Sequence, residues 1–308
     1  MDVSRWLLDS DPSIRWQVMH DLLDAPPDEI DRERARVAVE GWGAGLLALQ
    51  SDDGDWGGDE YGIDGDRRST TWTLHLLRRL GIEPDAPQTR LAIARVREGV
   101  VWREWGDLPY FHGEVEECVN GGVLALAAYF GELGAGSDRI IDRLLGEQLD
   151  DGGWNCEPRE ESARSSFDST LCVLEGLLAY EQAVPDAPPE IAASRRRGEE
   201  YLLERSLFRR RSTGEIVLPR YAEFRFPPYW VYDVLRSLDH FRVAGGAPDP
   251  RLADAIELLV AQRGADGRWL AAEPWNGRVH FAVDAPEGEP SRWNTLRALR
   301  VLRWYEGR

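Results

Sequence analysis

Residues 148–154 read Gln-Leu-Asp-Asp-Gly-Gly-Trp, and the same signature occurs twice more along the chain. It is QSDDGDW at residues 50–56 and QRGADGRW, with one inserted residue, at residues 262–269. Three copies of a Gln, spacer, Asp-Gly and Trp pattern indicate a repeat architecture. The copies begin 98 and 114 residues apart, so each interval has room for two helical hairpins of roughly 50 residues.

Apolar residues recur at helical spacing through most of the chain. Thr170, Val173, Leu174, Leu177 and Leu178 form one such stripe. No run of period-2 alternation competes with it, so helices rather than strands are expected to organise the fold. We predict helices near residues 11–23, 31–50, 69–81, 87–100, 115–132, 138–149, 167–183, 189–206, 229–243, 250–262 and 291–305.

The predicted helices are of two kinds. Segments 115–132 and 167–183 nearly lack basic residues and are apolar around most of their circumference, which is typical of buried helices. Segments such as 87–100 and 189–206 carry many Arg, Glu and Asp, as solvated helices do. Their alternation predicts an all-α fold, an α/α toroid of six inner and about five outer helices, as one domain over residues 1–308. An open solenoid is the alternative, but its helices would not divide so sharply.

The composition of the chain argues against several classes of protein. A formal net charge of −18 argues against nucleic-acid binding, which needs a basic face. No stretch of about 18 apolar residues is present to span a membrane, and the first residues, MDVSRWLLDSDPS, do not resemble a signal peptide. Three cysteines form no CxxC pair, and their odd number argues against a disulfide framework. A cytoplasmic protein is expected.

The three signatures, each followed by a helix with a Thr-x-x-apolar-apolar pattern, resemble the QW repeats of squalene and oxidosqualene cyclases. The β subunits of protein prenyltransferases share that toroid. The segments DGGWNCE, RSSFDSTLCVLEGLLAYE and SRWNTLRALRVLRWYE are similar to single-toroid bacterial squalene-cyclase-like proteins, also described as prenyltransferase and squalene oxidase repeat proteins. The resemblance covers nearly the whole chain. It implies the toroid fold, an isoprenoid or similar apolar substrate, and a terpene-cyclase-like isomerase or lyase activity.

The repeated signature itself is interpreted as part of the scaffold. Its Gln can hydrogen-bond backbone groups left unpaired where a helix ends, and its Asp-Gly pair can form the turn. Its Trp can then pack over the loop. Trp56, Trp154 and Trp269 are therefore expected to connect neighbouring hairpins rather than to take part in chemistry.

Functional residues are expected where the inner helices begin. In a toroid of alternating helices the inner ones run parallel, so their N-termini meet at one mouth, where the helix dipoles are positive. Aromatic rings at such a mouth can line a cavity and stabilise carbocations. The side chains predicted to bind substrate there are Trp16, Trp72, Phe167, Trp230, Tyr232, Trp293 and Asn294.

Asp168 is the predicted catalytic acid. The Asp-x-Asp-Asp-Thr acid motif of class II terpene cyclases opens an inner helix, and the resemblance places Asp168 of SFDST at its central position. Ser166 and Ser169 stand where the family has flanking acids. A general acid has to stay protonated, which neighbouring carboxylates such as Glu114 and Glu116 can arrange. The alternative is that Asp168 only caps its helix.

Two other readings stay open. Prenyltransferase β subunits bind zinc through Asp, Cys and His, and Cys118 and Cys156 could converge with Asp168 and with His112 or His280 in the same way. The Asp-x-Cys pattern of that family is absent, so no metal or other cofactor is favoured. A non-catalytic toroid that binds a ligand or partner is the other reading. A filled toroid centre would count against cyclisation at Asp168.

Overall fold

The structure is a computed structural model that describes residues 2–62, 65–114, 116–157 and 162–307. Over these residues it is mainly helical, which confirms the predicted all-α class. Thirteen α-helices lie within them: Val3–Leu8 (α1), Pro12–Asp21 (α2), Pro27–Ala35 (α3), Gly41–Ala48 (α4), Thr70–Leu80 (α5), Pro87–Gly99 (α6), Glu117–Phe130 (α7), Ala135–Gly146 (α8), Phe167–Ala183 (α9), Pro189–Leu203 (α10), Val234–Ala244 (α11), Ala253–Ala261 (α12) and Arg292–Tyr305 (α13).

Strands have a minor part in the fold. Val101–Trp102 (β1) pairs antiparallel with Leu108–Pro109 (β2), and Trp269–Leu270 (β3) pairs antiparallel with Pro290–Ser291 (β4). Each of these strands has two residues. None of the described helices is long and apolar enough to cross a membrane.

Six helices, α2, α5, α7, α9, α11 and α13, form a closed inner ring. The ring closes where Gln17 of α2 meets both its neighbours: its amide oxygen accepts from Arg300 of α13 at 3.0 Å, and its nitrogen donates to the Arg79 carbonyl of α5 at 3.1 Å. α7 packs between α5 and α9, and α11 packs between α9 and α13. The predicted toroid with six inner helices is confirmed.

Inner and outer helices begin differently. The inner helices α2, α5, α9, α11 and α13 each follow a Ser or Asp whose side chain accepts a hydrogen bond from an N–H of the first turn. The outer helices α3, α6 and α10 begin with a proline, as the inner helix α2 does, but they have no side-chain cap. Proline suits the first helical position because its φ angle already fits and no N–H is needed there.

The closest pair of helices is α7 and α9, which touch through glycines. A Cβ placed on Gly176 would lie 2.3 Å from the Gly121 carbonyl oxygen, and a Cβ on Gly121 would lie 2.6 Å from the Cys172 carbonyl oxygen. Neither backbone could approach so closely with a side chain between them. These two largely buried helices therefore meet backbone to backbone.

The three Gln…Trp signatures make equivalent contacts. In each copy the Trp Nε1 donates to the carbonyl oxygen ten residues earlier, and the Gln amide donates to a backbone carbonyl of another element. The acceptors for the Trp side chains are Leu46 for Trp56, Leu144 for Trp154 and Leu259 for Trp269, at 2.7, 2.7 and 2.8 Å. The acceptors for the Gln side chains are Ala92 for Gln50, Ser194 for Gln148 and Ala222 for Gln262, at 2.9, 2.9 and 2.8 Å. These contacts are those of a scaffold element.

Several predicted helix boundaries were wrong. The segment 31–50 is not one helix but α3, a 3-10 turn at Arg36–Ala38, and α4. The break lies at Gly41, whose φ of +63° no regular helix allows. The helix predicted from residue 229 begins at Val234 instead, because Asp233 caps it and Tyr229 has a φ of +52°. The short helix α1 was not predicted, and the predicted start at residue 115 lies outside the described residues.

Candidate functional site

An aromatic-lined cavity, here called the mouth cavity, lies where the inner helices begin. Its volume is about 340 Å³, at the small end of the range of about 300–1,000 Å³ typical of small-molecule sites. The first turn of α5 supplies one wall, and two loops, residues 225–229 and 271–286, supply the rest. The main lining residues are Arg67, Trp72, Thr73, Leu76, Arg225, Phe226, Pro227, Tyr229, Trp275, Val279, His280, Phe281, Val283, Asp284 and Pro286.

Aromatic contacts hold the wall in place. Trp72 meets Tyr229 edge to face with 5.4 Å between the ring centroids. Phe226 stacks on Trp293 at 4.1 Å, so the 225–229 loop is fixed to the first turn of α13. Trp275 lies under the guanidinium of Arg225, 4.3 Å from the ring centroid. The wall is therefore pre-formed and presents ring faces, the surface that suits an apolar or cationic ligand.

Asp284 is the acidic group of this wall. Its carboxylate accepts a hydrogen bond from the Ser291 hydroxyl at 2.6 Å. Burial raises the pKa of Asp284 to about 6, although the Ser291 hydroxyl and backbone N–H groups oppose that rise. A carboxyl group with this pKa carries its proton for much of the time near pH 6. It can therefore act as a proton donor at an apolar surface.

His280 lies on the same wall. Its Nε2 is 3.0 Å from the Thr73 hydroxyl of α5. Burial lowers the pKa of His280, and the nearby guanidinium of Arg68 lowers it further. The imidazole is therefore neutral at neutral pH and can donate or accept a hydrogen bond at the edge of the cavity.

Four N–H donors on residues of this wall have no partner among the described groups. They are Arg67 Nε, Trp72 Nε1, Arg225 Nη1 and Trp275 Nε1. A buried donor without an acceptor costs about 1–3 kcal/mol, so such groups call for an acceptor from outside the chain. Water or the oxygen atoms of a ligand can supply it. The surface of the mouth cavity is thus mainly apolar, and its wall residues contain N–H donors that lack a hydrogen-bond acceptor.

The centre of the toroid is filled. Below the mouth cavity, Trp72, His75 and Cys172 enclose a space of about 10 Å³, which is close to the minimum for one water molecule. Gly122 of α7 lies against the His75 ring, where an added Cβ would be 2.8 Å from Nε2. A substrate cannot enter this space. The filled centre counts against cyclisation at the toroid axis.

Asp168 lies buried at the start of α9, where its carboxylate accepts several hydrogen bonds. Its carboxylate accepts two hydrogen bonds from Arg220, at 3.3 and 3.0 Å. It also accepts from the Tyr232 N–H at 2.7 Å and from the Tyr221 hydroxyl at 3.4 Å. These contacts suit an anchor for the 220–232 segment better than a proton donor.

Asp168 does not cap its helix. Ser166, not Asp168, caps α9, and its hydroxyl accepts from the Ser169 N–H at 3.3 Å. Arg220 was not singled out from the sequence, because nothing in its 3-10 turn marks it as the partner of a residue 52 positions earlier.

The two cysteines proposed for zinc do converge. The ligand atoms of Glu116, Cys118 and Cys156 all lie within 4.8 Å of one another, and the Cys118 N–H donates to the Cys156 Sγ at 3.3 Å. The third member of this group is Glu116, whereas the sequence suggested Asp168 together with His112 or His280. Glu116 is exposed and lies beside the cysteines, while Glu114 is buried and its carboxylate accepts from the Glu116 N–H at 2.7 Å.

The other predicted substrate-binding residues are dispersed. Trp16 lies at the opposite end of the ring, where its Nε1 donates to the Leu80 carbonyl at 2.9 Å. It is placed there because α2 begins at Pro12, so residue 16 is already in the second turn. Phe167 and Tyr232 belong to a buried aromatic cluster beside Asp168, with 5.2 Å between their ring centroids. Of these predicted residues, only Trp72 lines the mouth cavity.

The remaining three support the cavity or the centre without lining the mouth. Trp293 lies behind Phe226, and Asn294 donates to the carbonyl oxygens of Phe224 and Leu270 at 2.8 and 3.0 Å. Trp230 borders the small central space, and its carbonyl accepts from Cys172 at 3.4 Å. These are positioning contacts.

The loop that forms most of the mouth cavity was not predicted from the sequence to be part of the site. Residues 271–286, AAEPWNGRVHFAVDAP, contain a tryptophan, a phenylalanine, a histidine and an aspartate between the last Gln…Trp signature and α13. Long loops without secondary structure often carry function. The length of this loop and its aromatic residues were the features of the sequence that could have indicated a functional role.

No family model matches the chain, and no curated protein matches it significantly. Among solved structures, a protein from Actinoplanes is similar with a TM-score of 0.45 and 18% identity, over 96% of this chain and 90% of that chain. A variant of the type II terpene cyclase MstE from Scytonema, in complex with geranylgeranyl dihydroxybenzoate, is similar with a TM-score of 0.45 and 16% identity, over 99% and 87%. Another MstE variant, with merosterolic acid A, gives 0.45 and 17%, over 95% and 85%.

Likenesses this weak do not extend to function. The toroid fold rests on the closed ring of inner helices, and the site rests on the geometry of the mouth cavity.

Proposed function

We propose that this chain binds a short, apolar, isoprenoid-class molecule that carries an oxygen acceptor, and that the mouth cavity is its site. The observation that carries the proposal is the aromatic-lined cavity of about 340 Å³ whose wall residues hold four unpaired N–H donors. The isoprenoid class comes from the resemblance of the three signatures to QW repeats. The small volume favours a short chain over one of triterpene length.

The two halves of such a ligand would meet different parts of the wall. The hydrocarbon would lie against the rings of Trp72, Tyr229 and Phe226. Removing apolar surface from water contributes about 25 cal/mol per Å². The oxygen would accept from Arg67 or Trp275, whose donors lack partners among the described residues. A hydrocarbon without that oxygen would leave them unpaired and bind more weakly.

Titration of farnesol, with the intrinsic tryptophan fluorescence as readout, tests this proposal. We expect saturable quenching, with the dissociation constant raised about tenfold for Trp275→Leu because a large aromatic contact is lost. Trp105→Leu is the matched control, since Trp105 is 42% exposed and lies outside the cavity. The saturated hydrocarbon farnesane should bind more weakly than farnesol. Equal affinity of both tryptophan variants would refute the assignment of the site.

If the bound molecule reacts, Asp284 is the group we propose as the acid. Its proton would pass to an alkene carbon or an epoxide oxygen, and the carboxylate left behind would keep its hydrogen bond from Ser291. The positive charge formed on the substrate would face the rings of Trp72 and Tyr229, which stabilise cations. This assignment replaces Asp168, which is paired with Arg220, as the proton donor.

Incubation with linear isoprenoids and their terminal epoxides, followed by product analysis, tests the acid. We expect product from the wild-type protein and none from Asp284→Asn. Asp168→Asn should keep activity wherever it stays folded. Loss of product in Asp168→Asn alone would return the catalytic role to Asp168.

A second candidate, a zinc-dependent transferase, is favoured by the group of Glu116, Cys118 and Cys156. Two thiols and a carboxylate are donors that zinc accepts, and three protein ligands with one open position are typical of catalytic zinc. Their mutual distances, within 4.8 Å, fit a tetrahedral site after a small contraction. When bound, zinc would supply a Lewis acid or hold a thiolate nucleophile.

Zinc titration of the apo-protein, with competition by a chromogenic chelator, tests this candidate. We expect one equivalent bound, with binding lost in Cys118→Ser and in Cys156→Ser. Cys172→Ser is the matched control, because Cys172 is buried and lies outside the group. Equal zinc binding by all three variants would exclude the site.

A further inference from the structure

A second cavity lies at the other end of the ring, where the inner helices end. We call it the basic cavity; its volume is about 270 Å³, and each of the six inner helices supplies at least one lining residue. Six arginines line it: Arg34, Arg78, Arg79, Arg236, Arg297 and Arg300. It therefore lies on the axis of the toroid, on the side opposite the mouth cavity.

The basic cavity is positively charged, whereas the whole chain is negatively charged. Six guanidinium groups and two carboxylates, Glu175 and Asp239, line it, an excess of four positive charges. Asp21 and Asp233 pair with Arg300 and Arg297 from behind the wall, and counting them still leaves an excess of two. A chain with a net charge of −18 has thus concentrated positive charge at one end of its ring.

The carboxylates occupy only part of the donor groups. Arg236 and Arg79 share Glu175, at 2.7 and 3.3 Å, and Asp239 pairs with Arg300. The side chain of Arg78 forms neither a hydrogen bond nor an ion pair with any described residue, and only its backbone carbonyl accepts, from the Gly81 N–H.

Arg297 adds a second group with unused donor capacity, although its Nη1 donates to the Arg225 carbonyl at 3.3 Å. It is 3% exposed, and its Nη2 is buried without a hydrogen-bond partner in the described part of the chain. Its nearest carboxylate oxygen belongs to Asp233, at 3.7 Å, which is beyond hydrogen-bond distance. A guanidinium has five N–H donors, so both arginines keep unused capacity on the cavity wall.

Local helix electrostatics does not explain this arrangement. A helix C-terminus attracts cations, and that accounts for Arg78 and Arg79 in the last turn of α5. Arg236 and Arg297 instead belong to the first halves of α11 and α13. Burial lowers the pKa of Arg78, and burial together with the neighbouring arginines lowers the pKa of Arg79 to about 10. The protein therefore neutralises Arg78 and Arg79 incompletely, whereas, against the effect of burial, Glu175 raises the pKa of Arg236.

We propose that the basic cavity is a binding site for a small multivalent oxyanion, with Arg78 and Arg297 as its principal donors. Guanidinium groups bind phosphate and carboxylate oxygens through paired hydrogen bonds, and they do so most strongly where water is excluded. A bound oxyanion would balance the excess charge and give Arg78 its missing partner. The site is independent of the mouth cavity, so either proposal can fail without the other.

Isothermal titration calorimetry at pH 7, with ionic strength held constant by sodium chloride, tests the proposal. Inorganic phosphate, diphosphate and citrate are the three probes. We expect one saturable site, with the dissociation constant raised about tenfold or more in Arg78→Gln, because a charge-assisted hydrogen bond is lost. Since Arg78 pairs with no described carboxylate, its removal leaves no acid unpaired and the fold should persist.

Arg196→Gln is the matched control. Arg196 is exposed on α10 and lies outside the cavity, so its removal lowers the net charge equally without touching the site. Tighter binding of diphosphate than of citrate identifies a phosphoryl ligand, and the reverse identifies a polycarboxylate. Circular dichroism establishes that each variant is folded, and Arg78→Lys, which keeps the charge, replaces Arg78→Gln if that variant unfolds.

Two results would overturn the proposal. One is heat that does not saturate for any of the three anions beyond the effect of chloride. The other is an equal dissociation constant for wild type, the Arg78 variant and Arg196→Gln, which would assign the binding to the general charge of the surface.

Discussion

The guanidinium of Arg220 forms two hydrogen bonds with the carboxylate of Asp168, at 3.3 and 3.0 Å. Arg220 lies in a 3-10 turn outside the ring, and Asp168 lies in the first turn of an inner helix. The pair therefore connects the 219–232 segment, which leads to the wall of the mouth cavity, with the ring. Asp168 therefore supports the mouth cavity indirectly, because it holds the segment that leads to the cavity wall.

Asp168→Asn should lower the stability of the fold while leaving the mouth cavity able to bind. The amide leaves the Arg220 guanidinium without its counter-charge, so we expect a loss of about 1–3 kcal/mol in the free energy of unfolding. Urea denaturation followed by circular dichroism measures it. Asp150→Asn is the control, since Asp150 is exposed and should change stability by less than about 0.5 kcal/mol. Unchanged stability together with lost turnover would contradict the anchoring role.

Trp154→Phe tests the Gln…Trp signature as a scaffold element. Trp154 is 0% exposed and its Nε1 donates to the Leu144 carbonyl at 2.7 Å. The substitution removes that donor and leaves a buried carbonyl unpaired and a small cavity, so we expect about 1–3 kcal/mol of destabilisation. Trp105→Phe, at a residue 42% exposed, should be close to neutral. Equal thermal midpoints for the two variants would show that the signature does not connect the hairpins.

Gly176→Ala places two effects in opposition. Alanine is better than glycine inside a helix by about 1 kcal/mol, but its Cβ would lie 2.3 Å from the Gly121 carbonyl of α7. Separating two packed helices costs about 1–3 kcal/mol or more, so the clash should prevail and the thermal midpoint should fall. Gly134→Ala is the control, because a Cβ there meets nothing within 4 Å. A stabilised Gly176→Ala variant would mean that α7 and α9 can move apart freely.

The pH dependence of stability should report on Asp284. Its pKa is about 6 in the folded chain and 3.8 as the ordinary value, so the folded state keeps the proton that the unfolded state has lost between these values. Stability from this group is therefore full below about pH 4 and is lost as the pH rises to about 6, by on the order of 2 kcal/mol. Asp284→Asn should remove this part of the slope.

Chemical denaturation of both proteins from pH 4 to pH 8 measures the difference. We expect the stability of wild type relative to Asp284→Asn to fall up to about pH 6 and to stay level above it. Parallel curves over that range would place the Asp284 carboxyl in a solvated environment and remove the basis for its role as an acid.

Part of the candidate site could be predicted from the sequence. Trp72 was placed correctly at the mouth because it follows the Ser69 cap by three residues, and a cap fixes where a helix begins. Cys118 and Cys156 were correctly expected to meet, since one begins α7 and the other lies in the loop before α9. Trp16 was misplaced because being near the start of a helix does not decide which end of the ring a long side chain reaches.

The wall of the mouth cavity and the basic cavity could not be predicted. His280 and Asp284 lie in a loop without periodicity, so no pattern relates them to Thr73, 207 residues away from His280. The six arginines of the basic cavity come from three inner helices and an outer one. When each helix is considered separately, its arginines look like ordinary solvated residues.

The sequence by itself determined the toroid. Three Gln…Trp signatures indicate repeated hairpins. The division into apolar and charged helices distinguishes the inner layer from the outer one, because burial requires an apolar surface. Only the tertiary structure decided that the centre is filled, that Asp168 pairs with Arg220, and that two cavities of opposite character lie at the two ends of the axis. These outcomes depend on distances between segments far apart in the chain, and local periodicity carries no information about them.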